Sequence, residues 1–164
     1  MAAGATYFPI ATQTLGSAVA DITFSSIPAT YTDIIVSAQV RSPSYTIGVR
    51  FNGDTGSNYS FTYIRGTGSA ATSSRSSNTT NMEFIVPIDT DPDRGAAIIQ
   101  IQNYSNTTTN KTALFRNGWG TSELYASAQM WRNTAAINSI TFRVAGSGNM
   151  PVGSTFTLYG IEYA

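Results

Sequence analysis

Residues 45–65, YTIGVRFNGDTGSNYSFTYIR, constrain the fold more than any other stretch. Tyr45, Ile47, Val49 and Phe51 alternate with Thr46, Gly48, Arg50 and Asn52, the period-2 pattern of a strand with one buried face. Turn formers fill 52–58, and then Tyr59, Phe61 and Tyr63 alternate with Ser60 and Thr62. Two aromatic-rich runs about an Asn-Gly-Asp-Thr-Gly turn read as a β-hairpin, with Gly53 and Gly56 available for positive φ. Neither run spaces its apolar residues three and four apart, so a helix is ruled out here.

Similar runs recur at 19–24, 33–41, 82–88, 96–104, 111–117, 123–132, 137–144 and 155–163. About ten strands at such spacing predict an all-β fold, an antiparallel, jelly-roll-like β-sandwich. Residues 7–15 read as a first strand or an extended N-terminal arm, with Pro9 confining it to an edge. The expected organisation is an arm or edge strand over 1–15 and a single sandwich domain over 16–164. In 33–41, Ile34, Val36, Ala38 and Val40 share the inward face. In 123–132, Leu124, Ala126, Ala128 and Met130 are predicted inward, with Tyr125, Gln129 and Trp131 opposite. Residues 66–80, GTGSAATSSRSSNTT, offer nothing large to bury and read as a long exposed loop.

A chain of 164 residues suits one domain, and a domain of this size buries roughly 70% of its unfolded surface. Only 11% of residues are charged and the net charge is zero, against both a nucleic-acid footprint and an anionic-membrane patch. The chain has no Cys and no His, so disulfides, thiolates and the commonest general base and metal ligand are excluded. No apolar run approaches the roughly 20 residues that cross a bilayer. The first 16 residues lack the basic and apolar regions of a signal peptide.

Catalysis finds no inventory. Ser and Thr lack a His partner, and a Ser–Lys pair would have to use Lys111, the only lysine. The carboxylates fall mostly in turns or at strand ends, and Glu83 alone sits within a strand, on the face predicted to be exposed. No enzyme is expected. Asp89, Asp91 and Asp93 resemble the start of a calcium loop, but Arg94 and Gln100 stand where that loop needs Gly and Glu. No metal and no cofactor are therefore expected. Five Asn-x-Ser/Thr sequons are what a chain rich in these residues carries by chance.

The aromatic residues suggest binding. Trp119 is predicted in a Gly-flanked turn, and Tyr125 and Trp131 share a face opposite the predicted core. Exposed Tyr and Trp beside Asn and Gln suit sugar stacking or a protein interface, whereas burial under a second sheet would make them ordinary core residues. Sparse charge leaves strand edges unguarded, which favours association. Tyr7, Phe8, Ile10 and Leu15 are the candidate assembly residues, anchoring the arm on a neighbouring subunit.

Several runs carry a resemblance: 19–36, VADITFSSIPATYTDIIV; 49–61, VRFNGDTGSNYSF; 73–78, SSRSSN; 103–117, NYSNTTTNKTALFRN; 131–140, WRNTAAINSI; and 153–163, GSTFTLYGIEY. Together they resemble a family of small, mostly uncharacterised structural proteins of tailed bacteriophages, including phages of aquatic bacteria and cyanobacteria. The resemblance implies a non-enzymatic virion protein, made in the host cytoplasm and carried on the particle exterior. A capsid decoration (cement) protein is the leading expectation, with the major capsid protein or other virion proteins as partners. For the self-association that the uncharged edges favour, the analogy with external phage proteins implies a trimer ahead of a dimer. A tail or fibre head that binds host glycans is the alternative.

Overall fold

The computed structural model describes residues 6–44, 46–87, 94–120 and 122–162. Twelve strands lie among them: β1 (Tyr7–Thr14), β2 (Asp21–Phe24), β3 (Asp33–Val40), β4 (Thr46–Phe51), β5 (Tyr59–Gly66), β6 (Ala71–Thr79), β7 (Met82–Ile85), β8 (Gly95–Ile101), β9 (Lys111–Trp119), β10 (Glu123–Trp131), β11 (Ile140–Val144) and β12 (Thr155–Ile161). All pairing is antiparallel, in two sheets. The larger has eight strands in the order β1-β12-β3-β8-β9-β10-β5-β6, and the smaller has four, β2-β11-β4-β7. The protein is an all-β sandwich with sheets of unequal size.

The alternation does what it predicts for β3, where Ile34, Val36, Ala38 and Val40 are buried, and for β4, where Ile47, Val49 and Phe51 are buried. The hairpin over 45–65 is not formed. β4 pairs with β11 and β7 in the small sheet, while β5 pairs with β10 and β6 in the large one. The intervening turn is an arch from one sheet to the other, with Asn52 and Gly53 at positive φ. Alternation reports which side of a strand is apolar and is silent about its partner. Two such strands can face each other across a core as readily as lie side by side. Here Phe51 and Tyr59, one from each strand, both pack on Trp131, with ring centroids 5.6 and 6.3 Å apart.

The core continues through Phe142, which lies 4.8 Å from Phe156 and 6.3 Å from Phe24, and through Phe84 against Phe115. Each large apolar side chain buried in this way contributes roughly 1.5–3 kcal/mol. Gly160 lies under the Tyr31 ring, where a Cβ would come within 2.2 Å of Cγ, so only glycine fits that step of β12.

Two readings are decided at the edges. Of the first strand and the extended arm offered for 7–15, the structure shows the edge strand, since β1 pairs along β12 at the end of the large sheet. Leu15 is buried, Ile10 packs against the core, Phe8 stacks on Tyr31 and Tyr7 meets the Tyr159 ring edge-on. Of the four, only Tyr7 remains largely exposed. The apolar content that suggested an anchor is used within the sandwich. The polar run 66–80 is not a loop, since Ala71–Thr79 forms β6 along β5. It buries almost nothing, and what recruits it is the otherwise unpaired main chain of β5.

Three of the four sheet edges are guarded without charge. β1 carries Pro9 and an irregularity between Pro9 and Ala11, both of which disfavour further pairing. At the small sheet's edges, side-chain amides of the large sheet take the place of a missing strand. Gln13 Nε2 donates to the Thr23 carbonyl of β2 at 3.1 Å. Gln129 and Asn117 serve β7: Gln129 Oε1 accepts from the Glu83 N–H at 2.9 Å, Gln129 Nε2 donates to the Glu83 carbonyl at 2.6 Å, and Asn117 Nδ2 donates to the Ile85 carbonyl at 2.6 Å. These amides also tie the two sheets together.

Candidate functional site

Strand β10 presents the face opposite to that expected. Tyr125, Gln129 and Trp131 point into the sandwich, at 8%, 2% and 1% exposure, while Leu124 and Met130 face out at 65% and 37%. Hydropathy favours Leu, Ala and Met as the buried row. The partners that make the polar row suit the interior come from other elements. Trp131 Nε1 donates to Asp54 Oδ2 at 2.6 Å, and Gln129 finds the β7 main chain. Trp131 is thus a core residue and cannot stack on a ligand. Tyr125 is nearly buried, and its hydroxyl donates to Glu123 Oε2 at 2.6 Å. Burial, and then that hydrogen bond to Glu123, push the Tyr125 hydroxyl pKa well up. Trp119 is not in a turn but is the last residue of β9, half-buried and paired with Glu123. The three aromatics do not form one platform.

The turn between β4 and β5 is built around Asp54. Its Oδ1 accepts from the Gly56 N–H at 2.8 Å, and its Oδ2 accepts from Asn58 Nδ2 at 2.9 Å as well as from Trp131. Burial alone would raise the Asp54 pKa, but the hydrogen bonds from Trp131, Asn58 and Gly56, with the Arg50 charge, hold it below the ordinary value. Tyr59 donates to the Asp54 carbonyl and accepts from the Phe51 N–H, and burial raises its pKa to about 12. Lys111 is buried, with Nζ donating to the Thr109 and Thr134 carbonyls at 2.8 and 2.9 Å, a loop-tying role. Burial lowers its pKa. Glu83, expected exposed, is half-buried, and burial raises its pKa although Asn81 Nδ2 donates to it at 3.0 Å. Asp89, Asp91 and Asp93 lie outside the described residues.

Two surfaces remain on which a partner could act. The first is the outer face of the large sheet. In one cross-strand row, Ile98, Arg116, Ala126 and Ile64 follow each other over β8, β9, β10 and β5. Neighbouring rows add Leu114 beside Ala128, and Leu124 between Gly118 and Gly66. Ile64 is 64% exposed, and Ile98 and Leu114 are each over 40% exposed. Arg116 is the one charge in this patch, which surrounds a shallow depression of about 550 Å³.

The second is a cleft on the inner face. The large sheet extends past β7, so β5 and β6 overhang the small sheet and leave a cavity of about 380 Å³ between them. Its aromatic wall is continuous: Phe61 stacks on Tyr63 at 6.1 Å, and Tyr63 lies 5.8 Å from Tyr125. The guanidinium of Arg65 sits 5.8 Å over the Tyr125 ring and is ion-paired with Glu123. Ser74 and Ser76 of β6 and Ser127 and Gln129 of β10 supply polar lining. Sequence reasoning found the aromatics of β5 but assigned them no site, because the cleft exists only where one sheet outruns the other.

No protein-family model and no curated protein matches this chain.

Proposed function

We propose that the protein is a non-enzymatic structural component on the exterior of a bacteriophage virion, a decoration protein that docks on the capsid shell through the outer face of its large sheet. The observation that carries this reading is the apolar patch of Ile64, Ile98, Leu114 and Leu124, open to solvent on one contiguous face. Contiguous exposed apolar surface marks interaction sites. Returning each half-exposed side chain to an apolar contact is worth about 1 kcal/mol or more. The polar flanks of the same face, such as Thr62, Thr112, Ser37 and Gln39, suit the rim of an interface. Modest affinity per copy accumulates when a particle repeats the contact many times. The virion assignment itself rests on the sequence resemblance. Association of copies, as a trimer ahead of a dimer, belongs to the same reading.

The test is binding of purified protein to particles that lack it, with Ile64→Asp and Leu124→Ser as variants. Saturation at on the order of hundreds of copies per particle is expected. Each variant is expected to weaken docking about ten-fold or more while melting as a folded protein, a loss of about 1.4 kcal/mol per ten-fold. Saturation at the few copies a tail offers, or docking unchanged in both variants, overturns the reading.

A further inference from the structure

We propose that the inner-face cleft between β7 and the overhanging β5–β6 ribbon is a binding site for an uncharged saccharide. It is separate from the docking face, because Tyr63 and Ile64 are consecutive in β5 and their side chains leave opposite sides of the sheet. The proposal therefore stands or falls without the virion reading.

Four observations select the ligand class. In the aromatic wall Phe61 and Tyr63 are half-open to the cleft with Tyr125 buried behind them, and aromatic faces pack on the C–H faces of sugar rings. Beside the apolar Phe84 and Ile85, the hydroxyls of Ser74, Ser76 and Ser127 are placed to meet ring hydroxyls. No charged side chain is directed into the cleft: Arg75 lies opposite the outward Thr62, Glu83 alternates with the buried Met82 and Phe84, and Arg65 nearby is already paired with Glu123, so the cleft has no net field to hold an anion or a cation. The β7 edge of the cleft cannot take an extended peptide, because its main chain is already bonded to Gln129 and Asn117. The volume of about 380 Å³ lies at the small end of the roughly 300–1,000 Å³ of ligand pockets. It suits a short saccharide segment.

Saturation-transfer NMR on the full chain tests this with maltotriose, cellotriose, chitotriose and, as the charged comparison, sialyllactose. Transfer to at least one neutral trisaccharide is expected. It should be lost in Tyr63→Ala, which removes the centre of the aromatic wall, and in Ser74→Trp, which fills the cleft from an exposed position of β6 that packs against nothing in the core. Leu124→Ser, on the outer face, should leave it unchanged. Any of four results overturns the proposal: no transfer to any neutral trisaccharide, transfer to sialyllactose alone, transfer that survives in a folded Tyr63→Ala or Ser74→Trp protein, or transfer that disappears in Leu124→Ser.

Discussion

Gln129→Met removes one of the amides that join the two sheets while nearly preserving the side chain's length and volume. Gln129 is 2% exposed and makes three hydrogen bonds, two to the Glu83 main chain at 2.9 and 2.6 Å and one to Ser127 Oγ at 2.9 Å. A buried group left without its partner costs about 1–3 kcal/mol. Ser127 is half-buried at the cleft and can turn to water, so its share is small. The Glu83 N–H and carbonyl remain, and because the cleft lets some water reach them the low end applies, about 1–1.5 kcal/mol each. Methionine returns part of this through its apolar burial, under about 1 kcal/mol. The expected net loss is about 2 kcal/mol, a fall in Tm of about 4–8 °C for a chain of this size.

Urea unfolding at 25 °C measures the loss as a lower midpoint with unchanged slope. Gln129→Glu discriminates further. Its ionised carboxylate can accept from the Glu83 N–H but opposes the Glu83 carbonyl, whereas the protonated acid can both accept and donate as the amide does. Its folded pKa is therefore raised, so its stability relative to the native protein recovers below the unfolded value of about 4.3 and is lost as the pH rises through the folded pKa. A Met variant within about 0.5 kcal/mol of the native protein, below the cost of one lost hydrogen bond, or a Glu variant with no acid recovery, refutes the inter-sheet role of Gln129.

Asp54 predicts a pH dependence of the opposite sign. Its folded pKa is depressed, so its contribution is complete above the unfolded value of about 4 and is lost as the pH falls through the folded pKa. The stability gap between the native protein and Asp54→Asn, measured by denaturation at a series of pH values, should shrink below about pH 4; a gap that stays constant down to pH 2 counts against the network. Replacing 68–78 by a short turn removes a strand that buries almost nothing, so the lost main-chain hydrogen bonds are largely offset by the lost ordering cost. The shortened protein should still melt cooperatively, a few degrees lower by calorimetry, and should lose saccharide binding with Ser74 and Ser76; failure to fold would show that β6 stabilises the large sheet far more than its exposure implies.

The all-β class was legible because alternation is a property of one strand and its own side chains. Ile34 to Val40 and Ile47 to Phe51 show their buried face plainly, since the other side of each strand is more polar or carries no side chain, as at Gly48. Pro9 likewise marked an edge before any partner was known. Four features were not legible, for related reasons. Whether β4 and β5 pair or arch depends on which strands from distant parts of the chain take their edges, here β11 for β4 and β10 for β5. The inward face of β10 was misread because a buried Trp or Gln is stable only beside a specific acceptor or donor, and Asp54 and the Glu83 main chain come from other strands. β6 was invisible because a strand with no apolar row leaves no pattern, and only the free main chain of β5 gives it a place. The cleft is illegible for the strongest of these reasons. It is the space left where eight strands outrun four, and strand count per sheet is decided by the competition of all twelve for partners.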